Sequence, residues 1–231
     1  MNVKTWLISI GAAFVGMAIV CAQSVGTQLP GTLTEDGSTG TVFARTASGN
    51  GIRVKVARQT VLWAATKGSN WVQHSPGAQC NLYDVAYGNR IFVAVGNEGT
   101  IVTSPDGVSW TVRKSPTDER LRSIVFGNGL FVVVGYAGTV ITSQEGLDWK
   151  IRKSGTDERL QMIAYDRGTF VAVGWKGVIL TSSQGTRWTA RRSGSVEALD
   201  GVASVDGWFV ASVTNHPALV SADGIKWAKL Q

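Results

Sequence analysis

Five tryptophans, Trp71, Trp110, Trp149, Trp188 and Trp227, stand 39 residues apart with no insertion or deletion between them. A glycine lies three residues before each: Gly68, Gly107, Gly146, Gly185 and Gly224. Upstream, in the same register, run "IRVKVA", "IFVAVG", "LFVVVG", "TFVAVG" and "WFVASV". Five equal units therefore occupy residues 37–231, as 37–75, 76–114, 115–153, 154–192 and 193–231, and the fold has to be assembled from them. Within a unit the apolar residues alternate with period two and show no helical period. In the third, "RLRSIVFGNG" reads as a strand and hairpin turn, "LFVVVGYAG" as a second strand, "TVITSQEG" as a third and "LDWKIRKSG" as a fourth. Glycine is frequent, at 28 residues against 5 prolines, which suits many tight hairpins. Four short strands recurring at this interval predict propeller blades, and a ring hides the sheet faces and edges that an open stack would leave in water. The expected fold is all-β, a five-bladed β-propeller.

The turn before each tryptophan repeats a phrase: "TSPDGVSWTVR" (103–113), "TSQEGLDWKIR" (142–152) and "TSSQGTRWTAR" (181–191). On Ser104, Asp106, Gly107, Ser109 and Trp110 it resembles the Asp-box, or bacterial neuraminidase repeat, of sialidase-like propellers, one residue shorter than the usual S-x-D-x-G-x-T-W. The whole unit also resembles those of photosystem II assembly-factor-like propellers. The resemblance covers residues 37–231 and implies an architecture. In that family the box occupies the turn between the third and fourth strands, where the acid ties down the turn and the indole packs on the blade. Here the acid position reads Lys67, Asp106, Glu145, Gln184 and Asp223. A catalytic or metal-binding carboxylate would not tolerate Lys or Gln, whereas a turn that needs a glycine and a packed indole would, so the phrase reads as a structural joint.

The first residues, "MNVKTWLISIGAAFVGMAIVCAQ", place Lys4 before an apolar run and then small residues, the pattern of a secretory signal peptide (1–22) cut after Ala22. An uncleaved anchor and a lipid-modified Cys21 are the alternatives. Cleavage would leave a net charge of +5, no membrane span, Cys80 as the one thiol, and a secreted or periplasmic location. Cys80 has no neighbouring His or acid in the sequence and reads as a buried small hydrophobe. Residues 23–36, "QSVGTQLPGTLTED", are a leader or linker. The first unit departs from the others, carrying Arg53 and Lys55 where Phe92 and Ala94 stand in the second. One face of that blade is thus charged. Either the ring closes loosely there, or another segment, with 23–36 the candidate, covers it.

Catalytic vocabulary is missing. A glycosidase needs two carboxylates converging at roughly 5 to 9 Å. The arginine triad and Tyr/Glu pair of sialidases map onto no residues of this chain. His74 and His216 have no partners at metal-ligand spacing, and no phosphate loop, dinucleotide fingerprint or nucleophile elbow occurs, so no metal or cofactor is expected. Arg113, Arg152 and Arg191, with Lys114, Lys153 and Arg192, sit on the outermost strand and read as charges that discourage edge pairing, with a basic rim for an acidic polymer as the alternative.

The loops joining second to third strands vary most, and five-fold geometry gathers them at one mouth. One position offers Arg58, Asn97, Tyr136, Trp175 and Thr214, and the next Gln59, Glu98, Ala137, Lys176 and Asn215. The candidate ligand-binding residues are Arg58, Asn97, Glu98, Tyr136, Trp175, Lys176 and Asn215, with the aromatic pair either stacking on a ligand or plugging the channel. "TDERL" occurs twice, as Asp118, Glu119, Arg120 and Asp157, Glu158, Arg159, and reads first as solvated turns with a local ion pair and second as the rim of the site. The expected function is an exported, non-catalytic binding or assembly scaffold for a protein or a carbohydrate, with a small sialidase-like glycoside hydrolase as the alternative. No specific nucleic-acid partner is expected, and the oligomeric state is open.

Overall fold

The computed structural model describes residues 45–56, 62–66, 68–79 and 81–230. The signal peptide, the 23–36 leader, Arg58, Gln59, Lys67 and Cys80 lie outside the described residues. The chain forms five four-stranded antiparallel sheets, each built from consecutive strands in sequence order. Blade 1 holds β1 (Arg45–Gly49), β2 (Ile52–Val56), β3 (Leu62–Thr66) and β4 (Val72–His74). Blade 2 holds β5 (Leu82–Gly88), β6 (Ile91–Gly96), β7 (Ile101–Ser104) and β8 (Thr111–Arg113). Blade 3 follows with β9 (Leu121–Gly127), β10 (Leu130–Gly135), β11 (Val140–Ser143) and β12 (Lys150–Arg152). Blade 4 holds β13 (Leu160–Asp166), β14 (Thr169–Gly174), β15 (Ile179–Ser182) and β16 (Thr189–Arg191). Blade 5 completes the set with β17 (Leu199–Val205), β18 (Trp208–Val213), β19 (His216–Ser221) and β20 (Ala228–Lys229). The fold is the all-β, five-bladed propeller that the 39-residue period requires.

Alternation buries both faces of the central strands, and the blades pack face to face. Val54, Leu62 and Ala64 of blade 1 meet Val85, Phe92 and Val102 of blade 2, with Trp110 against the same cluster. The pattern recurs between blades 2 and 3 around Phe131, between 3 and 4 around Phe170, and between 4 and 5 around Phe209. These phenylalanines, one in each of blades 2 to 5, are at most 1 % exposed. Tyr87, Phe126 and Tyr165 lie so close over Gly49, Gly88 and Gly127 of the preceding blade that a Cβ at any of these glycines would overlap the ring.

At the axis the five equivalent positions read Arg45, Asp84, Ser123, Met162 and Gly201. Both terminal nitrogens of Arg45 lie 3.6 Å from Met162 Sδ, although the residues are 117 apart in sequence. Asp84 is buried and accepts hydrogen bonds from Val85 N–H (2.9 Å), Ser123 Oγ–H (2.7 Å) and Ile124 N–H (3.0 Å). Burial pushes its carboxyl above the usual range, against the opposing pull of Arg45 and of these donors.

The recurring phrase forms the turn between third and fourth strands. Ser104 Oγ accepts Gly107 N–H (2.8 Å), Trp110 Nε1–H donates to Gly107 O (3.0 Å), and Asp106 Oδ1 accepts Val108 N–H and Ser109 N–H (2.9 and 2.8 Å). The turn ending at Trp188, which has Gln184 at the acid position, keeps the Ser182–Gly185 and Trp188–Gly185 bonds at 2.8 and 3.2 Å. The serine, glycine and indole thus define the joint, and the acid adds to it. Gly107 has φ +72°, and a Cβ there would press on Ile52 and Val54 of blade 1, so the joint also seals the junction.

The outer-strand arginines differ from the edge-charge expectation. Arg113, Arg152 and Arg191 turn back across their sheets and donate through Nε to Thr103, Thr142 and Thr181 Oγ1 at 2.7, 2.9 and 2.8 Å. Lys114, Lys153 and Arg192 remain exposed on that rim.

Candidate functional site

In blades 2 to 5 the tight turn between second and third strands is hydrogen-bonded to the connection that enters its own blade from the preceding one. Asn97 N–H donates to Asn81 O, Tyr136 N–H to Arg120 O and Trp175 N–H to Arg159 O, at 3.0, 2.9 and 2.9 Å. The turns place the next residue, Glu98, Ala137, Lys176 or Asn215, in the left-handed region (φ 49–56°), where its side chain projects into solvent. The two variable loop sets therefore share one face of the propeller.

On that face aromatic rings and guanidinium groups alternate across blades 2, 3 and 4. Arg120 Cζ lies 5.6 Å from the Tyr83 ring centroid and 5.0 Å from that of Tyr136. Arg159 Cζ lies 4.6 Å from Tyr136 and 4.2 Å from Trp175. Arg122 stands 5.0 Å from Tyr83 and donates through Nε to Gln161 Oε1 at 3.1 Å. The order Tyr83, Arg120, Tyr136, Arg159, Trp175 forms a ladder in which each guanidinium is held between two rings. Such contacts contribute about 0.5–1 kcal/mol each where water reaches them. They also fix planar donors, so less side-chain freedom is lost when an acceptor binds.

Polar contacts brace the ladder. Tyr83 Oη–H donates to Asn97 Oδ1 (2.9 Å), Arg120 reaches Tyr136 Oη (3.4 Å), and Lys176 Nζ pairs with Glu158 Oε1 (2.7 Å). Blade 5 presents different chemistry, since Thr214 Oγ1–H donates to Asp200 Oδ2 at 2.6 Å.

The structure thus gathers Asn97, Tyr136, Trp175 and Lys176 at one surface, with Trp175 38 % exposed. Glu98 and Asn215 are exposed at the turn tips of blades 2 and 5, and Arg58 lies outside the described residues. The expected local ion pairs of "TDERL" do not form with Arg120 or Arg159. Among the described residues neither arginine has a carboxylate within ion-pair distance, because the flanking rings take the guanidinium instead. Tyr83, Arg122, Gln161 and Asp200 were not among the sequence candidates. They share one repeat position on the innermost strands, between a buried leucine and the axial residue, and this column changes residue type in every unit while the leucine before it is constant in units 2 to 5. That contrast was their signal.

Among the described residues no group of three or more His, Cys, Asp or Glu is placed to hold a metal ion, and no helix is long and apolar enough to cross a membrane.

Solved structures resemble this fold at low identity. The computationally designed Ika8 protein aligns with a TM-score of 0.63 and 12 % identity over 80 % of this chain and 61 % of its own. YCF48 from Cyanidioschyzon merolae aligns with a TM-score of 0.60 and 15 % identity over 80 % of this chain and 70 % of its own. A structure of YCF48 bound to D1 peptide aligns at 0.62 and 18 % identity, over 87 % of this chain and 70 % of its own. This chain thus spans about three fifths to seven tenths of the length of those structures. No curated protein matches it. Residues 59–205, more than half of the chain, match the model of the DUF6242 beta propeller domain, and the chain belongs to that family.

Proposed function

We propose that this protein is an exported, non-catalytic scaffold that holds an extended protein segment across the face formed by blades 2, 3 and 4. The observation that carries this reading is the ladder of Tyr83, Arg120, Tyr136, Arg159 and Trp175. Tyr136 and Trp175 supply flat apolar area, while the guanidinium edges of Arg120 and Arg159 donate to backbone carbonyls or side-chain carboxylates of the bound segment. A structural neighbour, YCF48, has been solved with a peptide bound, which accords with a protein ligand for this propeller architecture. The joints are read as a shortened Asp-box, with a purely structural role. Glycan binding at the same rings is the close variant.

The rival reading, a small glycoside hydrolase, requires two carboxylates acting on one bond. Glu158 is held by Lys176 and Asp200 by Thr214, which weighs against a free converging pair. The test is a peptide array and a glycan array probed with the purified protein and with a Tyr136→Ala, Trp175→Ala variant, alongside a panel of fluorogenic glycosides. The expected result is peptide capture reduced at least tenfold in the variant at unchanged far-UV circular dichroism. Equal capture by both proteins, or glycoside turnover, would refute the proposal.

A further inference from the structure

The ladder is not uniform along its length, and its blade 4 end carries the group best placed to choose a ligand. Arg120 is half-buried and reaches Tyr136 Oη, whereas Arg159 is exposed. The rings of Tyr136 and Trp175 flank Arg159 at 4.6 and 4.2 Å, which leaves the edge of its planar fork of N–H donors for a ligand. Two acids precede Arg159 in the chain, and neither pairs with it. Glu158 is drawn to Lys176 Nζ at 2.7 Å, and Asp157 is exposed with no cation within ion-pair distance among the described residues. A stacked guanidinium with an open edge fits a carboxylate held by two parallel hydrogen bonds.

Beyond Trp175 the surface turns apolar. The repeat position of Asp118 and Asp157 is Val196 in blade 5, and that of Arg120 and Arg159 is Ala198. Val196 is 82 % exposed, more than any other large apolar side chain among the described residues. The turn that carries Trp175 is seated on this loop. Gly177, with φ +70°, lies against Ser195 O with no room for a Cβ, so Trp175 and Val196 stand on either side of one backbone contact.

We infer that Arg159, Trp175 and Val196 select a peptide segment in which an Asp or Glu and a large apolar residue stand two positions apart, with the carboxylate on Arg159 and the apolar side chain across Trp175 and Val196. The inference rests on the protein-segment reading above and supplies the chemistry of that segment. Side chains two apart on an extended strand point the same way, roughly 6.5–7 Å from each other. That spacing suits a carboxylate on a guanidinium 4.2 Å from the indole centroid and an apolar group reaching over the indole toward blade 5. Asp118, Glu119 and Asp157 are exposed on the same loops and would repel a uniformly acidic ligand, so one carboxylate beside an apolar residue is favoured over a polyanion.

An array of end-blocked heptapeptides tests this, each with one Asp, Glu, Asn or Gln and one Phe, Leu or Ser placed one to four positions apart in a Gly/Ser background. The full chain should give its strongest signal for an acid two positions from Phe or Leu, about tenfold or more above the matching amide. Arg159→Gln should erase the difference between acid and amide. Val196→Asp, at an exposed position where two other blades carry that acid, should cut the advantage of Phe and Leu over Ser by about threefold or more at unchanged far-UV circular dichroism. Equal signals for acid and amide, a difference that survives Arg159→Gln, or no preference for the two-position spacing would overturn the inference and leave the broader scaffold reading standing. Capture of no peptide at all would overturn both.

Discussion

Truncation of one phenylalanine tests the packing logic most sharply, because the same repeat position carries a phenylalanine in blades 2 to 5 and an arginine in blade 1. Phe131 is fully buried between blades 2 and 3, with ring centroids 4.7 Å from Phe126 and 6.4 Å from Trp149. Phe131→Ala forfeits about 1.5–3 kcal/mol of burial. A residual void of roughly 80 Å³ at about 24 cal/mol per Å³ adds about 2 kcal/mol. The expected loss is therefore about 3–5 kcal/mol, equivalent to roughly 10 °C in Tm for a chain of this size. Arg53→Ala, at the equivalent position of blade 1 and outside the apolar clusters of the described residues, should change stability by no more than about 1 kcal/mol. Urea unfolding at 25 °C followed by far-UV circular dichroism measures both. Should Phe131→Ala lose no more than Arg53→Ala, the claim that the four apolar junctions hold the ring would be wrong.

Two carboxylates should give opposite pH signatures. Asp106 is held at about 2 by the N–H groups of Ser109 and Val108, so its contribution is present above about 4 and is lost as pH falls toward 2. Asp106→Ala should therefore lower stability by about 1 kcal/mol at pH 7, the group being largely exposed, and by only a small part of that at pH 2. Asp84 has its carboxyl raised by burial, so the folded state binds its proton more readily than the unfolded chain. Measured against Asp84→Asn over a series of chemical denaturation curves, the native protein should gain relative stability as pH falls from 7 toward 4, and a gain in the opposite direction would refute the burial argument.

Much of the architecture was legible because a propeller repeats its physics. The spacing of Trp71 to Trp227, the period-two stretches and the turn glycines each recur in register, and any one unit constrains the other four. The charged face of blade 1 was legible too, because Arg53 and Lys55 break a column of apolar residues. The mouth was only half legible. Variable loop positions flagged Asn97, Tyr136 and Trp175, but Arg120 and Arg159 each lie between a ring of their own blade and a ring of the preceding one. A local reading of "TDERL" supplies adjacent acids first, yet the rings offer a larger, partly desolvated surface for a guanidinium. The outer-strand arginines misled in a similar way. Their threonine partners lie ten residues back, in a hydrogen bond that only the register of third and fourth strands creates.

The arrangement of blades around one axis is the claim on which the mouth depends, and Met162 reports on it directly. The chain has 3 methionines, and Met162 is the only one beyond residue 22. Replacing methionine with its diazirine analogue and irradiating the folded monomer should link residue 162 of blade 4 to the peptide containing Arg45 of blade 1, as well as to the neighbouring Val202 region. Links confined to the peptides of blades 3 and 5 would contradict the account, because blade 1 would then lie away from the axis.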